Sequence, residues 1–173
     1  MKRLGIVLSL LLFLGGSAAL AQRVNVDHDR SANFQQFKTY AWATGTPIQN
    51  SIWDQRIRDG IDQRLAARGF QKVQPGHEPD LFVLYHGATT SQVQMNTNTM
   101  GGWGWRWGGS GMARTTVDQI PIGQLTVDIG DARTQRLLWM GSASDTLSDN
   151  PSRNERQLNR ALDRMFRNFP PRP

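Results

Sequence analysis

Leu81-Phe82-Val83-Leu84-Tyr85-His86 is the stretch that decides the fold class. It is an almost unbroken apolar run, too short for an independent helix and rich in strand formers, so it reads as a central strand covered on at least one face. Pro79-Asp80 marks its entry, and the pattern continues as Gln92-Val93-Gln94-Met95. Upstream, Phe70 to Val73 gives a short strand broken by Pro75-Gly76. Before that, Trp53, Ile57, Ile61 and Leu65 recur every four residues, the spacing of one helix face, and end at Arg68-Gly69. Gly there supplies the left-handed C′ position, and Ser51 with Asp54 reads as a variant capping box. Arg56, Arg58, Asp59, Asp62 and Arg64 alternate in sign along the same segment and read as its solvated face.

Further toward the N-terminus, Thr39-Tyr40-Ala41-Trp42 is strand-like and stops at Gly45 and Pro47, and Val24 and Val26 alternate with Asn25 and Asp27 in a first short strand. Downstream, Thr115-Thr116-Val117, Gly123 to Ile129 and Leu137 to Ala143 are strand-like, with a turn at Gly130-Asp131. A closing helix opens at Asn150 or Ser152, with Glu155 completing a box with Ser152, and Pro151 fits its first turn. Leu158, Leu162, Met165, Phe166 and Phe169 form its apolar stripe. The order β-β-α-β-β-β-β-α predicts an α+β fold, a mostly antiparallel sheet with two amphipathic helices packed on one face as a two-layer sandwich. Trp139 is expected in its buried core.

The N-terminus carries an export signature. Lys2 and Arg3 precede the apolar Leu4 to Leu14, and Ala19 and Ala21 occupy the small positions before a cleavage site. Residues 1–21 therefore read as a signal peptide and 22–173 as a single α+β domain, in the periplasm or secreted. The 173-residue sequence holds no Cys, which excludes disulfides, thiol nucleophiles, zinc-thiolate clusters and the acylated Cys of a lipoprotein. After the signal no apolar run reaches the roughly 20 residues of a membrane span, so no transmembrane anchor is expected. The net charge of +6 includes Lys2 and Arg3. The remaining excess is modest and interleaved with acids, so nucleic acid is not an expected partner.

Residues 96–112 change character: Gly101-Gly102-Trp103-Gly104-Trp105-Arg106-Trp107-Gly108-Gly109-Ser110-Gly111. That many glycines cannot form a core, and a mobile loop is expected. Extended, Trp103, Trp105 and Trp107 would share one face with Arg106 opposite, an aromatic strip suited to an envelope protein, a glycan or a membrane surface. Folded back, the same rings would lie over the sheet.

Other constellations are weaker. Asp27-His28-Asp29 reads as a polar strand end, since strand neighbours point to opposite faces. His28, His77 and His86 have no metal-ligand spacing, and no cofactor motif occurs. Gly109-Ser110-Gly111 lacks the strand-to-helix setting of a nucleophile elbow. Asp128 and Asp131 could pair, but Asp131 beside Gly130 suits a turn. No catalytic, cofactor or metal residue is assigned. The expectation is a non-catalytic binding or structural module of the cell envelope, with a small periplasmic hydrolase using a His/Asp site as the alternative.

Phe37-Lys38-Thr39-Tyr40-Ala41-Trp42, Arg68-Gly69-Phe70, Pro79-Asp80-Leu81, Gly123 to Ile129, Leu138-Trp139-Met140-Gly141 and Phe166-Arg167-Asn168-Phe169-Pro170 occur in an order that resembles the bacterial family known as domain of unknown function 4136. The resemblance implies an exported envelope protein, often a lipoprotein, without an established activity. This chain departs from it in lacking the lipid-bearing Cys. No catalytic residue carries over.

Overall fold

In a computed structural model, residues 22–74, 76–99 and 113–171 are described. Among them, β1 (Arg23–His28), β2 (Thr39–Trp42), α1 (Ser51–Ala66), β3 (Gln71–Lys72), β4 (Leu81–Thr99), β5 (Ala113–Asp131), β6 (Leu137–Thr146) and α2 (Pro151–Met165) follow the expected order. The six strands form one mixed sheet ordered β1-β6-β5-β4-β2-β3. The pairs β1/β6, β6/β5 and β5/β4 are antiparallel, whereas β2 runs parallel to both β4 and β3. The crossover through α1 requires that parallel pairing.

Both helices cover the face presented by Leu81, Val83 and Tyr85 of β4, Val127 and Ile129 of β5, and Trp139 of β6, all buried. Helix α1 contributes Ile57, Ile61 and Leu65, while Trp53 is only half-buried under the Arg56 guanidinium. Each buried apolar side chain is worth about 1.5–3 kcal/mol, far above the roughly 0–1 kcal/mol of a surface ion pair. The two helices meet where Gly60 faces Leu162: a Cβ at Gly60 would stand 2.7 Å from Leu162 Cδ1. A side chain there would have to displace the buried Leu162 tip, so glycine lets the two helices approach closely.

Gly69, at φ +85°, closes α1 as expected. Phe70 N–H donates to Leu65 C=O and Gly69 N–H to Ala66 C=O, a Schellman pattern. The opening cap of α1 differs from expectation, whereas α2 opens at Asn150, one of the two expected positions. Asn50 rather than Ser51 caps α1, its side chain accepting from Ile52 and Trp53 N–H, because Ser51 already lies within the first turn. Asn150 alone caps α2 in the same way, with Pro151 following it. Helix α2 stops at Met165; a 3-10 turn, Phe166–Asn168, then swings Phe166 and Phe169 into the core. The aromatic cluster of Phe34, Phe37, Phe70, Trp139, Phe166 and Phe169 fills that end of the sandwich.

The α1 face expected to be solvated is only partly so. Asp62 accepts from Tyr40 OH at 2.8 Å, Trp42 Nε1 at 2.9 Å and Lys72 Nζ at 2.9 Å. Tyr85 OH donates to Asp54, and Arg58 stacks over Trp42 and Tyr85. Burial first, then the adjacent carboxylate, pushes the Tyr85 phenol up to about 12 and raises Tyr40 as well. Arg64 is buried, bonding Gly60 C=O, Asn159 C=O and Asp163. The alternating charges are thus spaced to meet aromatic hydroxyls and the second helix.

Candidate functional site

Strands β4 and β5 are far longer than the sheet they belong to. Their register runs from Leu81↔Asp131 to Thr99↔Ala113. Strand β6 leaves β5 after Ile122↔Thr146. Beyond Thr90 and Ile122 the two strands therefore continue alone as an arm, which at about 3.3 Å per residue is about 30 Å long. Pro121 permits this: odd-numbered β5 residues turn their backbone groups toward β6, and Pro121, sitting where β6 ends, offers only its C=O, to Leu147 N–H. Residues 96–99, expected in the loop, belong to β4 instead. Trp103, Trp105, Arg106 and Trp107 lie outside the described residues, between the two strand ends that form the arm's far end.

The three His residues do not come together. His28 ends β1 at one sheet edge, His77 lies in the turn after β3 near the other, and His86 stands on the open face of β4. Asp27 accepts from His28 N–H and Asp29 from Ser31 and Arg136, a polar strand end as read. Asp131 accepts from Arg133 and Thr134 N–H, the turn role expected of it. His86, expected at the end of a buried strand, is mid-strand and exposed. Its Nδ1 lies 2.9 Å from Thr46 Oγ1 and its Nε2 3.8 Å from Asp128 Oδ2, the latter beyond hydrogen-bond range. Asp128 Oδ1 is buried without a hydrogen-bond partner among the described residues. The signal for this Thr-His-Asp line is the cross-strand register, which sets His86 opposite Thr126 and diagonal to Asp128, two residues farther along β5 on the same face.

Burial raises the Asp128 carboxyl above its usual value near 3.8, with the His86 charge opposing. A raised acid is better protonated in the fold, so its contribution to stability is present at low pH and lost as pH climbs through the raised value. Asp128→Asn removes that loss. Thermal melts should show the variant gaining on the wild type between pH 4 and pH 7; a variant that falls behind at pH 7 would contradict the assignment.

An apolar groove of about 180 Å³ lies between the N-terminal halves of both helices and the sheet, at the base of the arm. Trp53, Ile57, Leu125, Leu147 and Leu158 line it, with Gln22 and Gln157 at its polar side. Among the described residues no cluster of three metal-capable side chains forms, and no helix is long and apolar enough to cross a membrane.

The sequence matches the model of the family described as "Domain of unknown function (DUF4136)" over residues 24–171. The chain belongs to that family. The DUF4136 match spans every described element, from β1 to the final 3-10 turn. A DUF4136 family protein from Bacteroides thetaiotaomicron shares the fold at TM-score 0.56 and 13% identity, covering 86% of this chain and 96% of that one. A PDZ domain protein from Parabacteroides distasonis aligns at TM-score 0.58 and 16% identity over 88% of this chain. The chain spans only 37% of that protein's length. At such identities the likeness is one of fold. No curated protein sequence matches the chain.

Proposed function

We propose that the protein is an exported, non-catalytic binding module of the cell envelope that engages its partner through the end of the β4/β5 arm. One observation carries this reading: about half of each of the two 19-residue strands runs on as an arm beyond the core, and the chain between their ends contains Trp103, Trp105 and Trp107. A two-stranded ribbon is marginal by itself, so an arm of this length is better explained by what it presents than by what it stabilises. Arg106 among the aromatics suits an interface, where Trp and Arg dominate binding energy. Export is supported by Lys2, Arg3, the apolar run after them and the Ala19/Ala21 site, with Gln22 as the first residue of the exported chain. With no cysteine, N-terminal lipidation has no acceptor.

The hydrolase reading draws on Thr46, His86 and Asp128. It is weaker because His86 is exposed on an open sheet face and its carboxylate stands at 3.8 Å, whereas a general base needs an aligned partner and a site for the reacting atom.

Replacing all three Trp with Ser should leave the urea midpoint within error and abolish association with envelope membranes, purified glycan or an envelope protein partner, measured by co-sedimentation and pulldown. Unchanged association with all three would remove the assigned role. A fall of several kcal/mol in stability would instead make the rings part of the core.

A further inference from the structure

Each sheet edge exposes backbone donors and acceptors that can template another strand, and proteins protect such edges with short length, charge or proline. Three of the edges here are protected. Strand β1 is six residues long with Arg23 and Asp27, β3 is two residues long with Lys72, and the outer edge of the β5 arm carries Arg114, Asp118 and Pro121. The outer edge of β4 is different. Ala43 N–H bonds Val83 C=O, Thr46 N–H bonds Tyr85 C=O, and Gly87 N–H bonds Thr46 C=O, after which no described residue pairs with it. From Ala88 to Thr99 the sequence Ala-Thr-Thr-Ser-Gln-Val-Gln-Met-Asn-Thr-Asn-Thr contains no charge and no proline. It is rich in strand formers, and Val93 is 60% exposed.

The bonds at Val83, Tyr85 and Gly87 fix the parity. Odd-numbered residues turn their backbone groups outward, and the described β4/β5 register holds from end to end, so Thr89, Ser91, Val93, Met95, Thr97 and Thr99 all turn N–H and C=O groups to one edge, where no other described residue pairs with them. We propose that this edge pairs with the same edge of a second copy of the chain, antiparallel and centred on Gln94. That register sets Thr89 against Thr99, Ser91 against Thr97 and Val93 against Met95 of the second copy. It satisfies all six residues on both strands through about twelve hydrogen bonds. A two-fold interface must be self-complementary. An uncharged edge meets this condition without like-charge repulsion, and because the arm projects beyond the sheet the two domain bodies sit at opposite ends of the paired strands.

The test uses the full chain in sedimentation equilibrium, with two kinds of variant. The wild type should sediment at twice the chain mass. Val93→Pro removes one outward N–H while leaving the bonds to β5 in place, and should halve that mass with an unchanged circular dichroism spectrum. In the proposed register Gln94 faces its own copy as a non-hydrogen-bonded pair, with Cα atoms about 4.5 Å apart, within disulfide range. In this cysteine-free chain, Gln94→Cys should therefore oxidise to a covalent dimer at least tenfold faster than Thr90→Cys. A wild type that stays monomeric, a folded Val93→Pro that stays dimeric, or equal crosslinking of the two Cys variants overturns the proposal. If Val93→Pro fails to fold, the crosslinking comparison alone decides.

Discussion

Trp139→Ala should cost about 3–5 kcal/mol in urea unfolding, the range for truncating a large buried aromatic. Trp139 is 1% exposed and sits in β6 between β1 and β5. Its ring lies 5.0 Å from that of Phe166 and 5.2 Å from that of Phe169, centroid to centroid. The strand makes room for it: a Cβ at Gly141, two residues on, would stand 2.5 Å from the indole. Removing the ring leaves a void bounded by backbone on one side and by two aromatics already packed on each other, so little can collapse into it. Against a typical total of 5–15 kcal/mol, most of the stability would be lost. A loss below about 1 kcal/mol would mean that the sheet and the C-terminal turn are not joined through this residue.

The second large effect is expected at Arg68. Its Nε donates to Phe169 C=O at 2.7 Å, one terminal nitrogen to Arg64 C=O at 2.9 Å, and the other to Phe166 C=O. These carbonyls end α1 and the final 3-10 turn, where helical N–H partners run out; only Phe166 C=O among them also accepts a backbone N–H, from Phe169. One guanidinium therefore fastens the two helix ends together and holds Phe166 and Phe169 over Trp139. Hydrogen bonds to charged groups are worth about 1.5–3 kcal/mol each, less where water can replace them, so Arg68→Ala should cost about 2–4 kcal/mol. Arg68→Lys should recover under half of it, because an ammonium cannot reproduce the fork. Full recovery by Lys in urea melts would reduce the residue to a point charge.

These contacts explain why the resemblance seen in the sequence was legible yet silent about activity. Asp80 accepts from Lys38 N–H, Thr39 N–H and Thr39 Oγ1, clamping the start of β4 to the start of β2. Arg68, Gly69 and Phe70 close α1 onto the C-terminal turn, and Phe166 and Phe169 complete the core. The shared motifs are the joints of a fold.

Element order and core were readable because period and turn chemistry agree: Ile57, Ile61 and Leu65 at helical spacing, Leu125, Val127 and Ile129 at strand spacing, Gly69 at a left-handed cap. What escaped reading depends on partners distant in sequence. The charges on α1 look solvated until Tyr40, Trp42 and Tyr85 are brought beneath them. His86 and Asp128 become neighbours only through the β4/β5 register. Pro121 reads as a strand breaker unless it is known that β6 ends beside it, and for that reason the arm's full length was hidden. The Trp-containing stretch, by contrast, stands out by composition alone.

The proposed function assigns folding to the body of the domain and partner binding to the arm. Replacing residues 93–119 with an Asn-Gly turn joins Gln92 to Ile120, a hydrogen-bonded pair of the β4/β5 ladder, and keeps every strand of the sheet beneath. Urea unfolding and envelope co-sedimentation of this variant should give a stability within about 1 kcal/mol of the wild type, since the deleted ribbon lies outside the core, together with complete loss of association. A variant that still co-sediments, or one that no longer folds, would contradict the account.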